Sequence, residues 1–318
     1  MQIEGDSYKI LVIKHGALGD IIQGLDAYAS LRKGNPEAHI AIMTTPGFAQ
    51  LFSQMPWFNE VIIDKRANAI NLAQAIRIRS VLRRNWRFIV DMQCSRRTAR
   101  YHQFFTKPSV SWIGTAKNCS DPLPDFTGVN NRDRMMFCAK CAGGIAQIAS
   151  LEWLTDAINP SEINETITPS NKFVVFVVGC SAHRPEKRWP ARNFGVVGRA
   201  LVEKGFEILL VGTDADQDMV NEVEGHLPEA RNVCGQTSIS ELTYLFAGAK
   251  LVLGNDTGPI FLAAKSGTPT LVLMGSATIP EAMRPNQKNA DWIYKEEISL
   301  ISPEQVLQKI QTKFHSCY

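Results

Sequence analysis

The chain alternates short apolar runs with longer stretches of helical spacing, and the alternation occurs twice. Lys9–Ile13 is apolar, His15–Gly19 is a glycine-bearing turn, Asp20–Lys33 has helical period, and His39–Met43 is apolar again. A continuous apolar run of roughly four to eight residues between turn signals fits a strand buried on both faces, so the opening predicts a βαβ unit. Val61–Ile63 and Phe88–Val90 add strands with helical material between them, including a helix over Ile70–Arg84. From Lys107 to Asn171 the periodicity fades, and Pro108, Pro122, Pro124, Pro160 and Pro169 punctuate the chain, so a domain boundary is expected near residue 165. Beyond it the alternation restarts. Strands are expected at Phe173–Val178, Glu207–Val211, Ala230–Val233 and Leu251–Leu253, and helices at Phe194–Glu203, Asp216–His226, Ser240–Ala247 and Pro259–Lys265. Gln287–Ile293 is expected to run back towards the first domain, and Pro303–Phe314 to form a closing amphipathic helix that packs on it. The whole pattern predicts an α/β protein of two Rossmann-like domains with parallel sheets, 1–165 and 166–318.

Within this frame Leu251–Gly275 is the richest segment, because the polar turn Asn255-Asp256-Thr257-Gly258 separates an apolar strand from an apolar helix. In an open parallel sheet, ligands bind outside the carboxyl ends of the strands. A helix beginning there offers unpaired N–H groups and a positive dipole end to a phosphate. The alternative is that Asp256 or Thr257 merely caps the helix. Two further strand-to-helix turns carry more small and polar residues than packing needs. Gly179–Pro190 crowds His183, Arg184, Lys187 and Arg188 into one loop, which suits a diphosphate or else is a solvated basic loop. Gly212–Asp218 twice spells D-x-D; a metal is discounted, since acids at a helix start suit the macrodipole and Asp216 can accept hydrogen bonds from a ribose. Together the three turns describe a nucleotide-diphosphate site. Lys14–Asp20 is neither GxGxxG nor a Walker loop, so a dinucleotide cofactor or P-loop is not supported. Asp20 either caps the next helix or serves as a general base facing the nucleotide site from the other domain across a cleft.

Composition excludes several classes. At 318 residues, with 45 % hydrophobic and 20 % charged residues, the chain is long enough for two packed domains and unlike a disordered one. No apolar run approaches the roughly 20 residues of a membrane span, and MQIEGDSYKI is not a signal peptide, so a cytoplasmic location is expected. The 7 cysteines are scattered; Cys138 and Cys141 form the one close pair and lack two further ligands for zinc. Net charge is +3, but residues 1–160 hold 19 Lys+Arg against 13 Asp+Glu, while 161–318 hold 15 against 18. The excess gathers between Lys65 and Lys107, in Arg77, Arg79, Arg83, Arg84, Arg87, Arg96, Arg97 and Arg100. A solvated helix face is its default meaning; attraction to an anionic surface or substrate is the functional one. Without interleaved aromatics or a recognition fold, nucleic acid is not the expected partner.

The segments ILVIKHGALGDII (10–22), VDMQ (90–93), EKRWP (186–190), ELTYLFAGAKLVLGNDTGP (241–259) and LAAKSGTPTLVLMG (262–275) together resemble glycosyltransferase family nine, the ADP-heptose:lipopolysaccharide heptosyltransferases. The resemblance implies a GT-B architecture, with the nucleotide sugar held mainly by the second domain and the acceptor by the first. It implies Asp20 as general base, Lys187 on the donor diphosphate, Asp216 near the ribose, Asp256, Thr257 and Gly258 as the donor-binding turn, and Gly19 on the acceptor side. Where the family commonly has a histidine after the DTG turn this chain has Phe261, and the family's Thr-Thr pair is replaced by Ala182-His183, leaving Ser181 as a substitute. The implied reaction is inverting, metal-independent transfer of a sugar, heptose from ADP-heptose, to a lipopolysaccharide inner-core hydroxyl, with no cofactor. An anionic glycolipid acceptor at the inner membrane surface gives Arg96, Arg97 and Arg100 a purpose. The rivals are a non-catalytic nucleotide-sugar-binding protein and a GT-B enzyme using another nucleotide sugar, including an epimerase. An epimerase needs acid/base groups on both sides of the sugar, and one clear carboxylate is present.

Overall fold

The computed structural model describes residues 8–66, 71–156, 158, 167–169, 172–181 and 183–314. The expected boundary near 165, Ala182 and Cys317 lie outside them. Two compact units are present, Met1–Trp153 and Leu154–Tyr318.

The first unit runs β1 (Lys9–Ile13), α1 (Leu18–Gln23), α2 (Leu25–Gly34), β2 (His39–Thr44), α3 (Pro46–Gln54), β3 (Glu60–Ile63), α4 (Leu72–Leu82), β4 (Trp86–Asp91), α5 (Arg96–Phe105), β5 (Ser111–Gly114), β6 (Asp121–Pro122) and α6 (Asn131–Cys141), with α7 (Glu152–Thr155) at the junction. Its strands pair in the order β3-β2-β1-β4-β5-β6, all parallel. The apolar runs that predicted strands are buried as such, since a parallel sheet covered by helices hides both faces. The single helix expected over Asp20–Lys33 is broken at Gly24, whose N–H closes α1 onto the carbonyls of Asp20 and Ile21. A Cβ there would lie 2.5 Å from the Tyr28 hydroxyl and 3.1 Å from Met135 Sδ, so glycine permits the close packing beside α6.

The second unit runs β7 (Phe173–Val177), α8 (Ala191–Val202), β8 (Glu207–Val211), α9 (Gln217–His226), β9 (Arg231–Asn232), α10 (Ile239–Gly248), β10 (Leu251–Asn255), α11 (Gly258–Lys265), β11 (Thr270–Met274), α12 (Pro280–Met283), β12 (Ala290–Tyr294) and α13 (Pro303–Lys313). Its order, β12-β11-β10-β7-β8-β9, repeats the first sheet's when the strands are counted within the unit. One segment differs from expectation. The segment expected to run back to the first domain contributes β12, pairing in parallel with β11 because its apolar residues complete the edge of this sheet. The closing helix buries Val306 and Ile310, with Phe314 beyond its end, in the second unit's own core beside α8. That core contains Phe176, Trp189, Phe194 and Leu210, each fully buried and each contributing roughly 1.5–3 kcal/mol by leaving water.

In each unit the strand order reverses direction beside its first strand: between β1 and β4, and between β7 and β10. A crevice opens outside the carboxyl ends at such switch points. The loops Lys14–Ala17, Met92–Ser95, Gly179–Pro190 and Asp256–Thr257 are the ones that leave those four strands.

Candidate active site

In the second unit the switch-point crevice is organised by the last residues of β10. Asn255 accepts a hydrogen bond from the Trp189 amide (3.0 Å) and donates to the Val178 carbonyl (2.6 Å), clamping both ends of the loop that follows β7. Trp189 is wholly buried and its indole N–H donates to the Ile301 carbonyl at 2.8 Å, so the WP pair is an anchor. Gly254 lets β10 approach β7; a Cβ there would meet the Val177 carbonyl oxygen at 2.5 Å. On this footing a 3-10 turn, Pro185–Lys187, carries Lys187 towards the start of α11, where its ammonium meets Asp256 Oδ2 at 2.5 Å. The same oxygen accepts from the Thr278 hydroxyl at 2.5 Å.

These bonds bear on the capping alternative for the turn's side chains. Asp256 is buried and occupied by Lys187 and Thr278, and Thr257 stands at the N-cap of α11 without a side-chain bond to it. Neither caps the helix, so the capping alternative does not account for them. Gly258 opens α11 with an amide and Pro259 has none to give. Arg184 is committed elsewhere, to Glu186 at 2.5 Å and to the Ala277 carbonyl at 2.8 Å, while Ser181 and His183 are exposed. Asp216 closes the 3-10 turn Asp214–Asp216 by accepting from the Thr213 amide (3.0 Å) and hydroxyl (2.8 Å) through Oδ2. Its Oδ1 rests where a side chain on Gly179 would sit, which brings Asp216 to the same sheet edge as the β7 loop. Among the described residues no three His, Cys, Asp or Glu side chains converge to hold a metal ion.

In the first unit Asp20 lies in the first turn of α1 but does not cap it. Its Oδ2 pairs with Lys14 Nζ at 3.2 Å and its Oδ1 accepts from Asn131 Nδ2 at 3.1 Å; Arg134 in turn donates to Asn131 Oδ1 at 2.6 Å. Lys14 is 1 % exposed and Asp20 28 %, so the carboxylate reaches solvent from above a buried ammonium. Burial pushes the Lys14 pKa below its ordinary value, assisted by Arg134 and opposed by the Asp20 charge. Gly19 is buried in the same turn. Gly16, with φ +138°, has no room for a side chain, since its Cβ would lie 2.6 Å from Phe48.

VDMQ ties the two loops of this switch point together. Asp91 accepts from the amides of Gln93 (3.1 Å) and Cys94 (2.8 Å), and the Gln93 side chain accepts from the His15 amide at 2.8 Å. Burial raises the Asp91 pKa despite these bonds. His15 lies 3.0 Å from Asp64 Oδ2, which also accepts from the Tyr101 hydroxyl at 2.6 Å. For Asp64 burial pulls upward, but the bonds from His15, Tyr101 and the Arg66 amide prevail and hold its carboxyl at about 2. Arg96, Arg97 and Arg100 lie on α5, and with α4 they line a cavity of about 500 Å³. Arg97 contacts the Tyr101 hydroxyl (3.4 Å) and the Arg66 carbonyl (3.1 Å).

Lys14, Asn131, Arg134, Asp64 and Thr278 were not singled out from the sequence as site residues. Lys14 had a signal, a lysine closing an apolar strand, whereas Asn131 and Arg134 sit on α6 in the stretch where periodicity fades.

Residues 147–314 match the profile of glycosyltransferase family 9 (heptosyltransferase). The chain is 25 % identical over 308 residues to lipooligosaccharide heptosyltransferase 2 of Haemophilus ducreyi, covering 89 % of this chain and 87 % of that protein. A crystal structure of a family 9 glycosyltransferase from Veillonella parvula superposes with a TM-score of 0.80 at 20 % identity, over 99 % of both chains. The ADP-heptose lipopolysaccharide heptosyltransferase II of E. coli superposes at 0.74 with 21 % identity, over 97 % of this chain and 99 % of that one.

Proposed function

The chain belongs to glycosyltransferase family 9 and has the GT-B fold, and from that premise we propose that it transfers heptose from ADP-heptose to a hydroxyl of an anionic lipopolysaccharide inner-core acceptor, with inversion and without a metal. The observation that carries this reading is the Lys187–Asp256 pair at the β7/β10 switch point, beside the first turn of α11. A partly buried ammonium held at a helix start is a receptor for a diphosphate, and its charge grows in worth as the leaving group gains negative charge. That arrangement supplies from the protein the stabilisation a divalent cation provides elsewhere. Asp216 offers a carboxylate to the ribose hydroxyls and Ser181 an exposed hydroxyl to the phosphates. The names of the Haemophilus and E. coli relatives support ADP-heptose as donor and a lipooligosaccharide or lipopolysaccharide as acceptor.

Asp20 is the base. Lys14 and Asn131 only donate to it, so the carboxylate is held as an acceptor, and it takes the acceptor hydroxyl's proton as that oxygen bonds to the sugar's anomeric carbon. The bond from that carbon to the diphosphate oxygen breaks, and ADP leaves with the electron pair. One displacement from the face opposite the leaving group inverts the anomeric centre. Arg96, Arg97 and Arg100 attract the acidic acceptor, and peripheral contact with the inner face of a bacterial inner membrane follows from an acceptor anchored there. The protein then works from the cytoplasm, in keeping with the fact that no helix among the described residues is long and apolar enough to cross a membrane.

Calorimetric titration with ADP, GDP, UDP and their sugar conjugates, with and without magnesium, tests the donor. Selective binding of ADP forms at equal affinity in both buffers is expected. Preference for another nucleotide overturns the donor, dependence on magnesium overturns the metal-free reading, and no binding of any of them overturns the nucleotide-sugar site itself.

A further inference from the structure

Between Lys65 and Lys107 the sole acidic residue is Asp91, which is buried, so the basic surface there has no acidic side chain of its own segment to neutralise it. Arg96 and Arg97 occupy the first two positions of α5 and no acid stands in its first turn. This is the reverse of what the helix dipole favours, and an anion in front of that turn relieves both the cations and the dipole. Besides the amides of Asn71 and Gln74 and the Tyr101 hydroxyl, the cavity these arginines share with α4 is lined by apolar side chains, Ala75 and Ile78 from α4 and Phe104 and Phe105 from α5. Its one carboxylate, Asp64, is already engaged by His15 and Tyr101. Phe104 is 62 % exposed and Leu72, at the start of α4, 70 %. About 500 Å³ is within the range of small-ligand pockets, roughly 300–1,000 Å³.

We propose that the α4–α5 cavity binds an anionic amphiphile, with Arg96, Arg97 and Arg100 on its acidic group and Ile78, Phe104 and Phe105 around the adjoining acyl chain. The assignment of this occupant to the lipid portion of the acceptor rests on the acceptor named above; the binding itself does not. Neither half of the site suffices by itself. Arginines that reach solvent hold a hydrated phosphate weakly, because each exchanges one set of polar partners for another. An apolar cavity rimmed by cations accepts a chain, and each methylene it removes from water raises affinity by about fourfold. A ligand carrying both parts engages both, and the second contact costs little further ordering once the first is made.

Calorimetry on the full-length protein with dodecyl phosphate below its micelle concentration tests this, with inorganic phosphate and dodecyl maltoside as single-feature probes. One dodecyl phosphate per chain is expected, at least about tenfold tighter than either probe, with Arg100→Gln and Phe104→Ser each weakening it by about tenfold. Both side chains are exposed, so melting temperature should be unchanged in the variants. Equal binding of inorganic phosphate, equal binding of dodecyl maltoside, or undiminished binding by both variants overturns the proposal. A diazirine-bearing dodecyl phosphate provides a test without substitution: labelling should fall within 96–105 or 71–78, and labelling elsewhere overturns it. ADP titrated into the same samples reports the donor site separately, so loss of ADP binding speaks against the transferase reading and not against this site.

Discussion

Lys14 and Asp20 form an ion pair in which the ammonium is buried and the carboxylate is not, 3.2 Å apart at the end of β1 and the first turn of α1. The pair explains how a carboxylate in the first turn of α1 is held in one orientation without a capping role. It also couples stability to chemistry, because Asp20 is the anion that compensates a buried cation.

Asp20→Ala is therefore expected to lower turnover by about 10²–10⁴-fold, the usual worth of a positioned base, while ADP affinity stays within a few-fold. The same variant should lose stability. Adding Lys14→Met should restore much of the melting temperature and none of the activity. Loss of ADP affinity in Asp20→Ala, or equal melting temperatures for single and double variants, would contradict the assignment.

Asn131 holds the second oxygen of Asp20 and is itself held by Arg134. Asn131→Ala should reduce kcat by about tenfold with little change in donor KM, since the group removed touches the base and not the nucleotide. Asn131→Asp places a like charge beside Asp20 and is expected to be worse than alanine. An effect confined to KM would show that Asn131 serves binding instead.

Lys187 is 17 % exposed and Asp256 3 %. Lys187→Ala should weaken ADP by about tenfold or more, or about 1.4 kcal/mol and upward. Asp256→Asn leaves the ammonium without its anion. It should lose part of the roughly 3–5 kcal/mol seen when wholly buried pairs are broken, a part only because Lys187 keeps some solvent. Melting curves with and without ADP separate the two effects. Unchanged ADP affinity in Lys187→Ala would remove the diphosphate role.

Asp64 has a carboxyl held at about 2 against an ordinary 3.8. A depressed folded-state pKa stabilises the fold above the unfolded value, and that stabilisation fades as pH falls from about 4 through about 2. Asp64→Asn should thus cost about 2 kcal/mol at pH 7 in urea unfolding, with the gap from wild type narrowing towards pH 3. A gap that does not change with pH would mean that His15 and Tyr101 hold the side chain by shape alone.

Charge reversal of Arg96, Arg97 and Arg100 together should raise acceptor KM by more than about tenfold while donor KM is unaffected, and the effect should shrink in high salt. Unchanged acceptor KM would take these residues out of the site.

The two-domain parallel α/β fold was legible because strands buried on both faces must be apolar throughout, and Leu251–Asn255 or Lys9–Ile13 can hardly be anything else. The polar loops of the candidate site in the second unit were legible for a related reason: residues such as Asp256 and Lys187 stand out against apolar neighbours, and the family motifs run through them. The α6 helix was not, because its contacts with α2 are tertiary and it carries little helical amphipathic pattern of its own. Asn131 and Arg134 went unseen with it. The Gln287–Ile293 segment misled for the same reason, since membership of an edge strand is decided by the partner β11 and not by the segment.

The alternation of elements, the loops where polar chemistry gathers, and the family can all be read along the chain. Those depend on local spacing and on which residues tolerate burial. Packing in three dimensions was needed to show that both sheets reverse at their first strand, that Asp256 pairs with Lys187, and that Asp20 answers to a lysine six residues away and an asparagine on α6. A carboxylate's partner is chosen by distance in space, and a residue such as Asn131, 111 positions along the chain, leaves no trace of that distance in the local pattern.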